Sequence, residues 1–75
     1  MNILAQVNEI NVEDPGELQE GFLVASIKNI GLEVATVNGV ALEAGEAKGY
    51  PFVGKGYKKI AYDPNRSTLR IMQIL

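Results

Sequence analysis

The dipeptide Asn38-Gly39 constrains the fold of this chain more than any other feature. It separates two short apolar runs, residues 33–37 and 40–43. Asparagine and glycine both tolerate positive φ angles, and an Asn-Gly pair between such runs predicts a type I′ turn, whose twist matches that of two paired strands. A two-residue turn also sets the register, so that the residue before the turn faces the residue after it. The chain is therefore predicted to contain antiparallel β structure.

The length of the chain and its lack of cysteine and histidine limit what can stabilise it. Its 75 residues are predicted to form one β domain, residues 1–75. A domain of this size buries only ~60% of the surface that its unfolded chain exposes. Without cysteine or histidine, no disulfide and no thiolate or imidazole metal site braces the fold. Packing, well-formed turns or association with other copies must do so.

Turn signals and the apolar runs between them predict the rest of the fold. Turns are predicted where Gly, Pro, Asn and Asp cluster, at residues 14–16, 29–31, 38–39, 44–45, 54–56 and 63–65. Strands are predicted near residues 3–12, 22–29, 33–37, 40–43, 47–52, 57–62 and 68–75, and one helical turn at residues 17–21. This spacing is typical of an all-β domain, a small antiparallel β-sandwich or jelly-roll-like barrel of about seven short strands.

The first predicted strand departs from simple alternation. Its apolar residues change parity between Val7 and Ile10. This change predicts a bulge or bend near Asn8 and Glu9, and a strand that swaps faces in this way often turns a corner between two sheets.

The second and the last predicted strands carry apolar residues on both faces. In the second strand, Phe22 and Val24 lie opposite the predicted core residues Leu23, Ala25 and Ile27. In the last strand, Met72 and Ile74 lie opposite Leu69 and Ile71. A terminal strand that is apolar on both faces is an aggregation hazard at a free edge, so it either lies centrally in its sheet or is covered by another copy. Because the core is small, we expect a homo-oligomer with Phe22, Val24, Met72 and Ile74 at its interface.

The charges divide along the chain. Eight of the nine acidic residues precede residue 48, whereas six of the seven basic residues lie at or after it. Either the two halves pair and neutralise each other within one molecule, or acidic and basic faces of neighbouring copies meet. At such a contact, Arg70 is expected at the rim, and Lys55 and Lys58 are expected to supply polar contacts.

No catalytic residue, cofactor or metal site is predicted. The usual general base at neutral pH and the strongest nucleophile are both missing from the composition, so we do not expect an enzyme. Four acidic residues cluster around a Pro-Gly turn, namely Glu13, Asp14, Glu17 and Glu20. Solvation explains such a cluster, although its oxygen atoms also suit a hard cation such as calcium.

Nucleic acid and membrane are not expected as partners. Residues 54–59, Gly-Lys-Gly-Tyr-Lys-Lys, lack the spacing of a phosphate-binding loop, and one tyrosine cannot stack on several bases. We interpret them as a solvated hairpin loop, with binding of an anionic partner, such as an acidic surface on a neighbouring protein, as the alternative. The apolar tracts are far shorter than the ~20 residues that span a bilayer as a helix, and no targeting segment is expected at the amino terminus.

Most of the aromatic residues lie in the second half of the chain. Together with one proline they are Tyr50, Pro51, Phe52, Tyr57 and Tyr62. On one exposed face these rings would stack against sugars, so a small carbohydrate- or protein-binding module is the alternative function. Core filling is their expected role, because a tyrosine at a strand end commonly buries its ring while its hydroxyl reaches water or the backbone.

Three short motifs carry a resemblance to a known family. They are an Asn29-x-Gly31 strand end, the Asn38-Gly39 hairpin and a Leu42-x-x-Gly45-Glu46 turn, within residues 25–31, 35–46 and 56–63. These segments resemble short β-sandwich proteins encoded among the structural genes of tailed bacteriophages. The resemblance implies a virion component made in the host cytoplasm, for example a capsid decoration protein or a module of a head fibre or tail. It implies a capsid or tail protein as partner and no catalytic residue.

Overall fold

The computed structural model describes residues 4–75. Eight β-strands and no helix lie within that range. They are β1 (Val7–Val12), β2 (Gly16–Leu18), β3 (Val24–Asn29), β4 (Ala35–Val37), β5 (Val40–Leu42), β6 (Ala47–Tyr50), β7 (Ile60–Asp63) and β8 (Leu69–Ile74). Sheet A has the strand order β1-β8-β3-β6 and sheet B the order β2-β7-β4-β5, with antiparallel pairing throughout. Over residues 4–75, no helix is long and apolar enough to cross a bilayer.

The order of the strands is that of a jelly roll. Successive strands alternate between the two sheets, except that β4 and β5 form a hairpin within sheet B. Two four-stranded antiparallel sheets connected in this way form the double Greek key of jelly-roll domains. The predicted all-β sandwich is confirmed, with one strand more than expected.

The additional strand is β2, in the segment that was predicted to form one helical turn at residues 17–21. That prediction is wrong. Leu18 points into the core whereas Glu17 faces solvent, and β2 pairs with β7 along its whole length. A short segment after Pro15 offers too few residues to nucleate a stable helix, and pairing with β7 satisfies its backbone groups instead.

The core lies between the two sheets and is built from alternate residues of the strands. Ala25 and Ile27 of β3 are buried as predicted, because successive side chains of a strand point to opposite faces. Leu23, predicted to join them, precedes β3 and is only half-buried. The buried apolar residues are Leu18, Phe22, Ala25, Ile27, Ala35, Val37, Leu42, Ile60, Leu69 and Ile71.

The β4–β5 hairpin has the predicted geometry. Asn38 and Gly39 have φ angles of 53° and 77°, both positive as a type I′ turn requires. Val37 faces Val40 across the turn. The register expected from the dipeptide alone is therefore confirmed.

Strand β1 contains no bulge. Its six residues pair one-to-one with those of β8, so there is no bulge near Asn8 and Glu9. The expected corner between two sheets is also wrong, because β1 lies in sheet A along its whole length. The parity of the apolar residues changes because β1 carries them on both faces: Val7 lies on the outer face, and Ile10 lies on the inner face opposite the buried Ile71. The predicted start of this strand near residue 3 lies outside the described residues.

The topology interleaves the acidic and basic parts of the chain. Strand β8, from the basic part, lies between β1 and β3, and β7 lies between β2 and β4. One ion pair forms among residues 4–75, between Lys59 Nζ and Glu17 Oε2 at 3.6 Å, and both side chains are exposed. Exposed pairs contribute little stability. The sheet order thus favours the explanation in which the two halves meet within one molecule.

Candidate interaction surface

The terminal strand β8 lies in the centre of sheet A, between β1 and β3. Its inward side chains Leu69 and Ile71 are buried, and both of its edges pair within the chain. The sequence left two ways to cover this strand, a central position in its own sheet or contact with another copy. In the structure it has the central position. The idea that another copy covers a free edge of this strand is wrong, because β8 has no free edge.

Four apolar side chains lie together on the outer face of sheet A. Val7, Ile74 and Val24 form a row across β1, β8 and β3, and Met72 lies two residues before Ile74 on the same face of β8. Val7 is 54% exposed, and the other three are half-buried. We call these four residues the outer patch. It contains three of the predicted contact residues, which the sequence had assigned to the outer faces of two separate strands.

Val7 belongs to the outer patch but was not predicted to be a contact residue. Alternation along β1 assigned it to one face of a strand, yet only the pairing of β1 with β8 places it beside Ile74. The alternation of residues within one strand does not show which other strand pairs with it. Val7 could therefore be assigned to the outer patch only from the register of the sheet.

Phe22 was predicted to lie on the outer face of its strand as a contact residue, and this prediction is wrong. It is completely buried. Strand β3 begins at Val24, so the alternation used to assign Phe22 to the outer face does not extend to it. Its carbonyl oxygen accepts a hydrogen bond from the Tyr57 N–H at 2.9 Å, and its side chain fills the core.

The predicted polar contact residues are exposed but lie apart. Arg70 is on the outer face of sheet A, and its Nε donates a hydrogen bond to Asn11 Oδ1 at 3.3 Å. Lys55 and Lys58 lie in the connection between β6 and β7. That connection crosses from sheet A to sheet B, so it is not the predicted hairpin loop. Of the three, Arg70 alone shares the sheet face of the outer patch.

Aromatic rings fill the end of the sandwich near this connection. The Phe22 and Tyr57 rings are almost parallel, with centroids 4.9 Å apart, and the Tyr50 ring packs edge-on against both. Tyr62 also packs against the core, whereas Phe52 is 62% exposed. Core filling is confirmed for the three tyrosines. The described part of the chain therefore has no exposed row of rings to serve as a sugar platform.

The opposite end of the sandwich is organised by the buried side chain of Asn29. Its Nδ2 donates hydrogen bonds to the carbonyl oxygens of Glu33 (2.7 Å) and Leu42 (2.9 Å). Its Oδ1 accepts from the Gly31 N–H at 3.2 Å and from the Ser67 hydroxyl at 2.5 Å. Both amide protons and both oxygen lone pairs are used. This group is therefore a structural tie between connections and has no capacity left for a ligand.

Gly31 completes this tie because a side chain has no room there. A Cβ at this position would lie 2.1 Å from Ser67 Oγ and 2.7 Å from the Thr68 backbone nitrogen. The Asn29-x-Gly31 motif is therefore explained by packing within the chain.

The acidic residues do not form an evident metal site. Among residues 4–75, no three His, Cys, Asp or Glu side chains lie close enough together to hold a metal ion. Comparison of the chain with protein-family models, curated proteins and solved structures gives no match.

Proposed function

We propose that this protein is a non-catalytic structural component of an assembly, which self-associates and binds the surface of a larger particle. The proposed particle is a phage virion, with the chain acting as a capsid decoration protein or as a module of a head fibre or tail. The outer patch carries this proposal. Its four apolar side chains lie side by side on a face that a sandwich normally leaves to polar residues.

A comparison of the two outer faces supports this assignment. The outer face of sheet B carries small or charged exposed residues, namely Glu17, Thr36, Ala41, Ala61 and Asp63. The outer face of sheet A carries the outer patch, with Arg70 beyond it on β8. An apolar cluster bordered by polar residues is typical of a protein contact site. Sheet A is therefore the side proposed to face a partner.

Two further observations favour a particle as the setting. Jelly-roll domains occur in viral capsids and in lectins, and the sequence motifs resemble phage structural proteins. A fold alone does not define a function. Repetition on a particle lets many modest contacts add up, which suits a patch of only four side chains. The sugar-binding alternative is disfavoured because the tyrosines on which it depended pack against the core.

The proposal is tested by an inventory and a rebinding assay. Mass spectrometry of purified particles from cells that express this gene is expected to find the protein in a regular ratio to the major capsid or tail protein. Particles stripped of the protein are then incubated with the wild type, with Ile74→Lys and with Thr36→Lys. The last variant is the matched control, because Thr36 lies on the outer face of β4, an inner strand of sheet B.

The expected result is rebinding of the wild type and of Thr36→Lys, with loss of binding for Ile74→Lys, because a buried unpaired charge at a contact is costly. Absence of the protein from particles, or equal rebinding of both lysine variants, overturns the proposal. Glycan-array binding that is lost on Tyr62→Ala would support the sugar-binding alternative instead.

A further inference from the structure

Among residues 4–75, the free edge of β1 is the longest open edge of the sandwich. β1 ends sheet A and pairs with β8 on one side only. Its six residues include no lysine or proline and form no bulge, although such features commonly block pairing at natural edges. The hydrogen bond from Leu75 N to Gln6 O, at 3.0 Å, extends the ladder beyond β1. The edge presents a row of backbone groups that a further strand can pair with.

The other three edges of the described sandwich are shorter or protected. Strand β6 has four residues, one of which is Lys48, and is followed by Pro51. Strand β2 has three residues directly after Pro15, and β5 also has three. Short edge strands and edge lysine or proline residues discourage pairing between molecules. Within the described residues, β1 therefore differs from every other edge.

Ile10 lies near the middle of this open edge and is poorly covered. It is on the inner face of sheet A, opposite Ile71, yet it is 52% exposed whereas Ile71 is buried. A shallow surface hollow borders Ile10 together with Glu9, Asn11 and Arg70. An apolar side chain is thus presented at an edge whose backbone groups are open to pairing.

We propose that a second copy of this chain adds its own β1 to this edge in antiparallel orientation, so that the two A sheets join at a two-fold axis through Ile10. Residues that face each other in an antiparallel pair share a face of the sheet. With Ile10 opposite Ile10 of the second copy, Asn8 faces Val12 and Glu9 faces Asn11. The two neighbouring registers that keep the faces aligned would place Glu9 opposite Glu9 or Glu9 opposite Glu13 of the second copy, and like charges directly opposite each other are unfavourable.

Charge complementarity favours a second copy as the occupant. Asn11 faces Arg70 within one chain, so Arg70 of one copy lies two strands from Glu9 of the other, on the same outer face. Two strand spacings amount to roughly 10 Å, a separation that an arginine and a glutamate side chain together span. Neither residue has an ion-pair partner within residues 4–75. Because of the two-fold symmetry, the ion pair between Arg70 of one copy and Glu9 of the other occurs twice, at the rim of the joined sheet.

The pairing is tested by disulfide trapping, because the chain has no cysteine of its own. Facing residues in an antiparallel pair have Cα atoms about 4.5–5.5 Å apart, within the range that a disulfide bridges. Mild oxidation of Ile10→Cys is expected to give a covalent dimer. Asn8→Cys alone is expected to stay monomeric on a denaturing gel, whereas an equimolar mixture of Asn8→Cys and Val12→Cys chains is expected to cross-link.

A second measurement does not depend on oxidation. In sedimentation velocity at micromolar concentration, Ile10→Lys is expected to raise the dimer dissociation constant about tenfold or more, because an inward-pointing charge blocks edge pairing. Val40→Lys is the matched control, since Val40 is 54% exposed on the edge strand β5. It is expected to sediment like the wild type.

This inference deepens the self-association in the proposed function and rests on it, yet the two fail differently. A wild-type monomer at every concentration, cross-linking through Glu9→Cys instead of Ile10→Cys, or equal weakening by both lysine variants overturns the β1 pairing. If such a monomer still binds particles, the proposed binding to a particle surface is supported and only the pairing of two β1 strands is overturned. A dimer trapped through Ile10→Cys whose wild-type form is absent from particles supports the pairing and overturns the virion assignment.

Discussion

The two ends of the sandwich are stabilised by different physical means. At the polar end, Asn29 joins the β3–β4 and β7–β8 connections to the end of β5 through four hydrogen bonds, and its side chain has no unsatisfied atom. At the aromatic end, Phe22 and Tyr57 stack, and the buried Tyr50 hydroxyl has no hydrogen-bond partner among the described residues. Irregular connections in so small a domain are thus held either by a saturated polar group or by ring packing. The first is sensitive to lost partners and the second to lost volume.

The largest expected effect is at the polar end. Asn29→Ala removes partners from two carbonyl oxygens, one backbone N–H and one hydroxyl, and each buried polar group left unpaired costs about 1–3 kcal/mol. Stability is roughly 0.05–0.15 kcal/mol per residue, so we expect this variant to be unfolded at 25 °C by circular dichroism. Ser67→Ala removes one of the four bonds and is expected to cost about 1 kcal/mol. A cooperative Asn29→Ala transition close to the wild-type midpoint would contradict the role of this group.

A slightly smaller effect is expected at the aromatic end. Phe22→Ala leaves a cavity beside Tyr57 and is expected to lower the free energy of unfolding by about 3–5 kcal/mol, measured by urea denaturation. Phe52→Ala is the matched control and is expected to change it by less than about 0.5 kcal/mol, because Phe52 is largely exposed. Equal losses for the two variants would mean that ring packing does not stabilise this end.

The smallest effect concerns the unpaired hydroxyl. Tyr50→Phe is expected to leave the free energy of unfolding unchanged or to raise it by up to about 1 kcal/mol, since it removes a buried group without a partner. Tyr57→Phe makes the same chemical change where the hydroxyl donates to the Pro51 carbonyl oxygen at 2.6 Å, and a loss of about 0.5–1 kcal/mol is expected. A larger loss of unfolding free energy for Tyr50→Phe than for Tyr57→Phe would contradict the assignment of the Tyr50 hydroxyl as the unpaired one.

Local features of the fold were predictable from sequence, and long-range ones were not. The turn at Asn38-Gly39 was correct because φ preference acts within the dipeptide itself. The alternation of buried and exposed residues in β3 was also correct. The helical turn at residues 17–21 was wrong because pairing with β7 decides the conformation of β2. Phe22 was misplaced because the first residue of β3 cannot be located from alternation alone.

For the outer patch, too, the local features were predictable from sequence and the long-range ones were not. Alternation placed Val24, Met72 and Ile74 on outer faces, and the structure agrees. That these side chains form one patch, and that Val7 belongs to it, follows from the order and register of β1, β8 and β3. The sequence left open whether the last strand lies centrally in its sheet or is covered by another copy, and only the strand order shows that it is central, with β1 and β6 as the edges of sheet A.

The amino-acid sequence by itself determined the all-β class, the hairpin register and the faces on which most apolar side chains lie, because these depend on φ preferences and on the two-residue period of a strand. Only the tertiary structure decided which strands are neighbours, which edge stays open and which residues form the outer patch. Strand pairing joins segments far apart in the chain, such as β1 and β8, and its choice depends on how the whole core is buried.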